Sequence, residues 1–211
     1  GLLGAKKIAC LDYDEKVIER MKRQFPNEGI EWHVADIFGL QGFRERFDLV
    51  FLLDVLHEVY SFYGRPSRNP DEPIDPNRGL EYLVKAMENI SGIVNPGGGI
   101  IITDNILPEG NQPVKLRIKN TPSLDAVDYF LRNYPSRRFE GVSRESDLIT
   151  IRAQDFSVLL TQYNKIKKED LDRWRVERLE QHQYMTQKQY EEMFSRLGFK
   201  THMIIETPDY V

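Results

Sequence analysis

The sequence predicts an α/β fold built on a mostly parallel sheet with helices on both faces. Four short apolar runs have the length and composition of buried strands, and an aspartate follows each of them closely. Amphipathic helical segments separate these runs. Because strands that alternate with helices form parallel sheets covered by those helices, the pattern favours this fold class. The four runs are Lys7–Leu11, Ile30–Val34, Phe47–Leu53 and Ile100–Ile102.

Three segments outside these runs have apolar residues at the 3.6-residue spacing of a helix. Thr186 has the side chain of an N-cap for the third of them, and residues 201–206 are predicted to form a final strand. Asn95–Gly99 is predicted to turn the chain into the fourth strand. The helical stripes are Val17, Ile18, Met21 and Phe25; Leu80, Leu83, Met87 and Ile90; and Gln187–Leu197.

A long polar stretch divides the α/β pattern. Residues 1–107 and 184–211 form the predicted core, and residues 108–183 form a mostly helical insert or cap. The first half of the insert is basic, with interleaved aromatic residues that either pack in a small core or stack on RNA bases. A helix around Trp174 is predicted to pack on the domain or on a second copy of the chain, which leaves a homodimer open. The basic residues are Lys115, Arg117, Lys119, Arg132, Arg137, Arg138, Arg144 and Arg152, and the aromatic ones are Tyr129, Phe130, Tyr134 and Phe139.

The composition excludes several classes of protein. The 211 residues carry a formal net charge of −4, which is not typical of a protein that binds nucleic acid along its whole surface. No apolar run approaches the roughly 20 residues that cross a bilayer, so no membrane partner is expected. Cys10 is the single cysteine, which excludes an internal disulfide and makes a cytoplasmic location the default expectation.

Five motifs in a fixed order resemble those of class I S-adenosylmethionine-dependent methyltransferases. They correspond to the second, third and fourth strands of that family, the glycine turn into its fifth strand, and the helix before its sixth. The resemblance implies a Rossmann-like fold and S-adenosylmethionine as the cofactor. The motifs are Ile8–Asp14, Trp32–Ile37, Phe47–Val59, Asn95–Ile102 and Tyr190–Phe199.

The family also has a first strand, a glycine-rich loop and a helix before these motifs. Only eleven residues precede Asp12 here, which is too few for those three elements. We therefore expect that this chain lacks the beginning of the domain, and we do not assign Gly1 or Gly4 to the glycine loop.

Ligands of open α/β sheets bind outside the carboxyl ends of the strands, where Asp12, Asp36 and Asp54 are predicted to lie. The resemblance implies that Asp12 accepts hydrogen bonds from the cofactor ribose and that Tyr13 lies along the adenine. It also implies that Asp36 accepts from the adenine amine and that the backbone of Ile37 contacts the ring. The alternative for Asp12 and Asp36 is a helix cap or a loop carboxylate. The residues implied near the methionine portion are Leu53 and Asp54.

His57 is the candidate catalytic residue. The segment Leu56–Val59 resembles a stretch of small-molecule O-methyltransferases in which the histidine is the general base, and an imidazole suits that role at neutral pH. Glu58 either orients this histidine or faces solvent, and the alternative is that His57 moves no proton. His182 and Tyr184 are candidates for lining the pocket from the insert. No spacing of His, Cys and Asp indicates a metal site.

The leading hypothesis is therefore methyl transfer from S-adenosylmethionine to an oxygen, or less favoured a nitrogen, of a small molecule. Three alternatives stay open. The basic insert could direct the same chemistry to RNA, Asp12 could hold the ribose of a dinucleotide in a reductase, or the domain could be a binding module without catalysis.

Overall fold

The computed structural model describes residues 4–26, 29–67, 69, 72–162 and 171–204 of the 211-residue chain. The strands are β1 (Ile8–Asp12), β2 (Ile30–Val34), β3 (Phe47–Leu53), β4 (Val94–Thr103), β5 (Pro113–Arg117), β6 (Ser143–Glu145) and β7 (Leu148–Arg152). The helices are α1 (Glu15–Gln24), α2 (Leu56–Tyr63), α3 (Pro76–Gly92), α4 (Thr121–Asn133), α5 (Ala153–Gln162), α6 (Leu171–Glu177) and α7 (Gln187–Arg196), and Ile37–Gly42 forms a 3-10 helix. Among these described helices, none has the combination of length and hydropathy that crossing a membrane requires.

The chain divides into two compact units. The first unit contains Gly1–Val50 and Lys85–Ile100, and the second contains Phe51–Val84 and Ile101–Val211. The division passes through β3, α3 and β4 and differs from the boundaries predicted after residues 107 and 183. Those predicted domain boundaries remain a prediction.

In the first unit, β1 and β2 pair in parallel as the sequence predicts. Asp12 lies opposite Val34 at the carboxyl end of the pair, and the Ala35 N–H donates to the Asp12 carbonyl oxygen over 2.9 Å. Helix α1 follows directly because Asp14 caps it, accepting from the Lys16 N–H over 2.8 Å. The cap and the strand ends place two polar loops at the same edge of this strand pair.

Strands β3 and β4 also run in the same direction. The Phe47 N–H donates to Ile93 at one end, and the Asp54 N–H donates to Thr103 at the other, so residue numbers rise together along both strands. The predicted glycine turn is part of β4 rather than a loop before it. Gly98 allows this because a Cβ there would lie 2.8 Å from the Asp48 carbonyl oxygen.

One face of β3 differs from the expectation of a sheet covered on both sides. The side chains of Leu49, Phe51 and Leu53 are 45%, 55% and 60% exposed. These residues alternate along the strand and therefore share one face. Among the described residues, no element covers that face. The predicted final strand is also not observed, because Thr201–Ile204 has no strand structure and residues 205–206 lie outside the described residues.

The second unit contains a three-stranded antiparallel sheet that the sequence prediction of a mostly helical insert does not include. Strand β7 lies in the middle, with β5 and β6 on either side. Phe130 and Tyr134 of the α4 region pack in the core of this unit and are 0% and 4% exposed. Phe130 and Tyr134 therefore belong to the small-core alternative, whereas the Tyr129 side chain is 43% exposed. The other buried members of this core are Leu107, Val127, Ile149, Ile151, Val158, Leu159 and Trp174.

Candidate active site

His57 and Asp104 form a buried pair in the second unit. Asp104 directly follows β4, and His57 is in the first turn of α2. The His57 N–H donates to Asp104 Oδ2 over 3.1 Å, and His57 Nδ1 lies 3.1 Å from Asp104 Oδ1. The two side chains are 3% and 2% exposed. A carboxylate only accepts, so in the neutral imidazole this contact places the proton on Nδ1 and leaves a lone pair on Nε2.

Two further donors hold the Asp104 carboxylate in place. The Tyr184 hydroxyl donates to Oδ2 over 2.8 Å, and the Asn105 N–H donates to Oδ1 over 2.8 Å. The Tyr190 hydroxyl in turn donates to the Tyr184 hydroxyl over 2.5 Å. Burial raises the pKa of Tyr184 well above its ordinary value, so its phenol stays protonated and remains a donor. The orientation of His57 is therefore fixed through a chain of hydrogen bonds.

The Nε2 side of His57 faces two residues that come from far along the chain. Glu180 Oε2 lies 3.8 Å from His57 Nε2, and the His182 ring centroid lies 3.9 Å from that of His57. Burial alone would lower the pKa of His57, but the hydrogen bond and charge of Asp104, followed by the charges of Glu180 and Glu58, raise it above its ordinary value. Glu58 is exposed, and Nδ1 of the ring is bound to Asp104.

The segment that carries Glu180 and His182 is held by its backbone. Hydrogen bonds from buried side chains reach its carbonyl groups, and one of its N–H groups donates to a buried hydroxyl. The side chains of Glu180 and His182 contact each other, and His182 also contacts Glu177, since His182 Nε2 lies 3.6 Å from Glu180 Oε2 and 3.5 Å from Glu177 Oε2. The bonds are Ser136 Oγ to Arg178 O (2.7 Å), Arg65 to Leu179 O (2.8 Å), Tyr134 hydroxyl to Glu180 O (2.5 Å) and Gln181 N to Ser61 Oγ (2.8 Å).

The structure brings the predicted residues Asp12 and Asp36 to the carboxyl ends of neighbouring parallel strands in the first unit. Both also have the roles that the alternative interpretation names, Asp12 as a loop carboxylate and Asp36 as a helix cap. Asp12 Oδ1 accepts from the Asp14 N–H over 2.8 Å, and Asp36 Oδ1 caps the 3-10 helix by accepting from the Phe38 N–H over 2.8 Å. Because the Asp14 N–H occupies Oδ1 of Asp12, Oδ2 is able to accept from a ribose hydroxyl. The adjacent Tyr13 side chain is 73% exposed, so these residues fit an adenosine.

Leu53 and Asp54 belong to the second unit, together with His57. The Asp54 backbone has a φ of 54°, which non-glycine residues rarely adopt and which is common at functional sites. A carboxylate oxygen of Asp54, an imidazole nitrogen of His57 and a carboxylate oxygen of Asp104 lie within 4.8 Å of one another. The structure therefore gathers Asp54 and His57 at one place in this unit.

Sequence reasoning did not identify Asp104 and Glu180 as site residues. Asp104 follows an apolar strand in the same way as Asp12, Asp36 and Asp54, so the rule that found those residues could have found it. Glu180 carries no comparable signal, because 123 residues separate it from His57.

Comparison with known proteins finds a methyltransferase domain in residues 2–102. Residues 2–102 match the family model described as a methyltransferase domain, and no curated protein sequence matches the chain. Two solved structures of the N-methyltransferase NodS from Bradyrhizobium japonicum WM9, one in complex with S-adenosyl-L-homocysteine, are 15% and 16% identical in sequence. The matches cover 70% of this chain and 74% and 67% of theirs, with TM-scores of 0.36 and 0.35, values too low to bear on the acceptor. The methyltransferase domain matched by residues 2–102 bears out the predicted α/β fold and S-adenosylmethionine as the cofactor.

Proposed function

We propose that this enzyme methylates an oxygen atom of a small molecule and that His57 is the general base. The observation that carries the proposal is the contact of His57 Nδ1 with the buried Asp104 carboxylate, which favours the tautomer of the neutral ring that has its lone pair on Nε2. When bound, S-adenosylmethionine supplies an electrophilic methyl group on a sulfonium. A nitrogen acceptor is the second choice, because it also has a proton to lose.

The pair has the parts that proton removal requires. The lone pair of His57 Nε2 accepts the proton of the acceptor hydroxyl, and the negative charge of Asp104 stabilises the imidazolium that results. Tyr184 and the Asn105 N–H keep the Asp104 carboxylate oriented while the charge on the ring changes. Burial of both side chains keeps water from competing for Nε2.

Two observations support a small acceptor over RNA. A base buried to 2% exposure is reached by a small molecule more readily than by a nucleotide within a strand. Several cations of the basic insert are also engaged with carboxylates: Arg137 lies 2.6 Å from Asp155, and Arg144 is paired with Asp128. Such pairs leave fewer cations for the phosphate contacts that dominate RNA binding.

We further propose that Asp12 binds the cofactor ribose and Asp36 the adenine amine, with Tyr13 and the backbone of Ile37 beside the adenine. Support comes from the placement of both carboxylates at the ends of adjacent parallel strands. We also propose that Leu53 and Asp54 lie near the methionine portion of the cofactor.

Replacing Asp12 by alanine is expected to weaken the binding of S-adenosylhomocysteine by about 1–3 kcal/mol, because a carboxylate accepts strong hydrogen bonds from hydroxyl groups. Titration calorimetry measures the change. Asp14→Ala is the matched control, since it removes the α1 cap two residues away, which costs about 0.5–2 kcal/mol of stability but no cofactor contact. Equal affinities for the native protein and Asp12→Ala would exclude the ribose role.

Transfer of a labelled methyl group from S-adenosylmethionine to a panel of acceptors tests the function. The panel contains phenols, aliphatic alcohols, carboxylic acids, primary amines and a short single-stranded RNA. We expect labelled product from a small hydroxyl compound and none from the RNA. Label in the RNA alone, with binding that weakens as salt is raised, would replace the small-molecule proposal by RNA methylation.

A further inference from the structure

Three nitrogen and oxygen donors converge beside the proposed base. His57 Nε2 and His182 Nε2 lie 3.8 Å and 3.6 Å from Glu180 Oε2, and one ligand atom from each of the three residues falls within 4.8 Å of the others. His182 Nε2 also lies 3.5 Å from Glu177 Oε2, a contact that the ion would replace. Two imidazoles and one carboxylate are a donor set that divalent transition metals prefer. We propose that His57, Glu180 and His182 bind such an ion, with Zn²⁺ the best fit.

The ligand distances approach those of this ion, and binding also requires the His57 and His182 rings, whose centroids lie 3.9 Å apart with an interplanar angle of 34°, to turn apart. Ligand atoms at about 2.0–2.2 Å from a tetrahedral Zn²⁺ are roughly 3.3–3.5 Å apart. The observed separations of 3.6 Å and 3.8 Å exceed that range by a few tenths of an ångström. Rotation of the Glu180 carboxylate, which is 25% exposed, can close such a gap.

A second observation points to a ligand independently of the cluster itself. The Nδ1 of His57 is bound to Asp104, so Nε2 is the nitrogen that carries the lone pair. Histidines that ligate metals almost always donate their other ring N–H to a carboxylate or carbonyl in this way. The backbone contacts of residues 178–181 hold the segment that carries Glu180 and that leads directly to His182.

The ion and the methylation reaction compete for the same atom. A metal bound at Nε2 takes the lone pair that accepts the proton of the methyl acceptor, so the bound ion inhibits methyl transfer. This consequence rests on the proposed function, whereas metal binding itself does not. Three protein ligands leave a fourth position open to water or to an anion.

Titration calorimetry with Zn²⁺, together with visible absorption of Co²⁺ as a spectroscopic substitute, tests the site. We expect one Zn²⁺ per chain and Co²⁺ bands of a site with low coordination number. His182→Asn and Glu180→Gln should each weaken Zn²⁺ binding at least tenfold and remove the Co²⁺ bands. His202→Asn, which changes an exposed imidazole elsewhere in the second unit, should leave both unchanged.

Asp104, which binds His57 Nδ1, provides a further variant. Asp104→Asn keeps all three ligands and is expected to lower Zn²⁺ affinity 10–100-fold, the usual effect of losing an outer-shell carboxylate. Equal Zn²⁺ affinity for the native protein and for both ligand variants would overturn the site.

Inhibition of methyl transfer by Zn²⁺ tests whether the ion and the reaction compete for His57 Nε2. Zn²⁺ should inhibit labelled methyl transfer by the native enzyme, and His182→Asn should transfer methyl groups but resist that inhibition. Stimulation of transfer by Zn²⁺ would contradict the competition. An enzyme that binds Zn²⁺ but methylates no acceptor of the panel would retain the metal site and lose the proposed function.

Discussion

His57→Ala is expected to lower the turnover number about 10²–10⁴-fold, the usual contribution of a general base. The affinity for S-adenosylhomocysteine should stay within a factor of two or three, because the proposed contacts of the cofactor lie on other residues. Initial rates of label transfer at saturating cofactor and titration calorimetry with S-adenosylhomocysteine measure the two quantities. The loss arises because the alanine side chain has no lone pair for the acceptor proton.

A variant at another histidine is the control, because it shows whether the loss of turnover is specific to His57. His202 is exposed, so His202→Ala should keep the native turnover. The turnover number of Asp104→Asn should lie between those of His57→Ala and His202→Ala. The asparagine keeps the volume of the side chain but binds His57 Nδ1 less strongly. Turnover of His57→Ala near the native value would exclude the base role.

The largest expected effect on stability is at Arg65. This arginine is 3% exposed and donates four hydrogen bonds within the second unit, to the carbonyl oxygens of Ser61, Glu72 and Leu179 and to the Ser136 hydroxyl. Burial lowers the pKa of Arg65, but a guanidinium stays charged in proteins. Arg65→Met fills similar space yet leaves those buried oxygens without donors, so we expect the free energy of unfolding to fall by roughly 3–5 kcal/mol.

Urea unfolding followed by the fluorescence of Trp174 measures this change. Trp174 is buried in the core of the second unit, and a Trp32→Phe background removes the signal of the first unit. Arg132→Met is the control: Arg132 is exposed on α4, and surface changes of this kind usually stay within about 0.5 kcal/mol. If Arg65→Met unfolds at the same urea concentration as Arg132→Met, the four hydrogen bonds make no net contribution to the free energy of unfolding.

Local sequence signals predict several elements of both units well. Strands β2 and β3 have the residue bounds that the apolar runs predict, and Thr186 caps α7 with the hydroxyl that the sequence suggests. These features depend on residues close together in the chain, such as a capping side chain and the N–H groups one turn later. Periodicity detects such features because each one spans less than about a dozen residues.

Long-range features were beyond the same reasoning. The pairing of β5 with β7 joins residues more than 30 apart, and β5 alternates too briefly to stand out from a polar stretch. The cluster of His57, Glu180 and His182 likewise depends on how residues 178–183 return to α2. No residue near His182 in the sequence indicates that its ring packs against that of His57.

One carboxylate performs two tasks at the start of α2. Asp104 receives the backbone N–H of His57 at one oxygen and the imidazole N–H at the other. The direction in which the helix leaves its strand and the direction in which the reactive nitrogen faces are thus set by a single short side chain. A glutamate here would be one methylene too long to satisfy both donors at once, so selection cannot adjust one of these properties without disturbing the other.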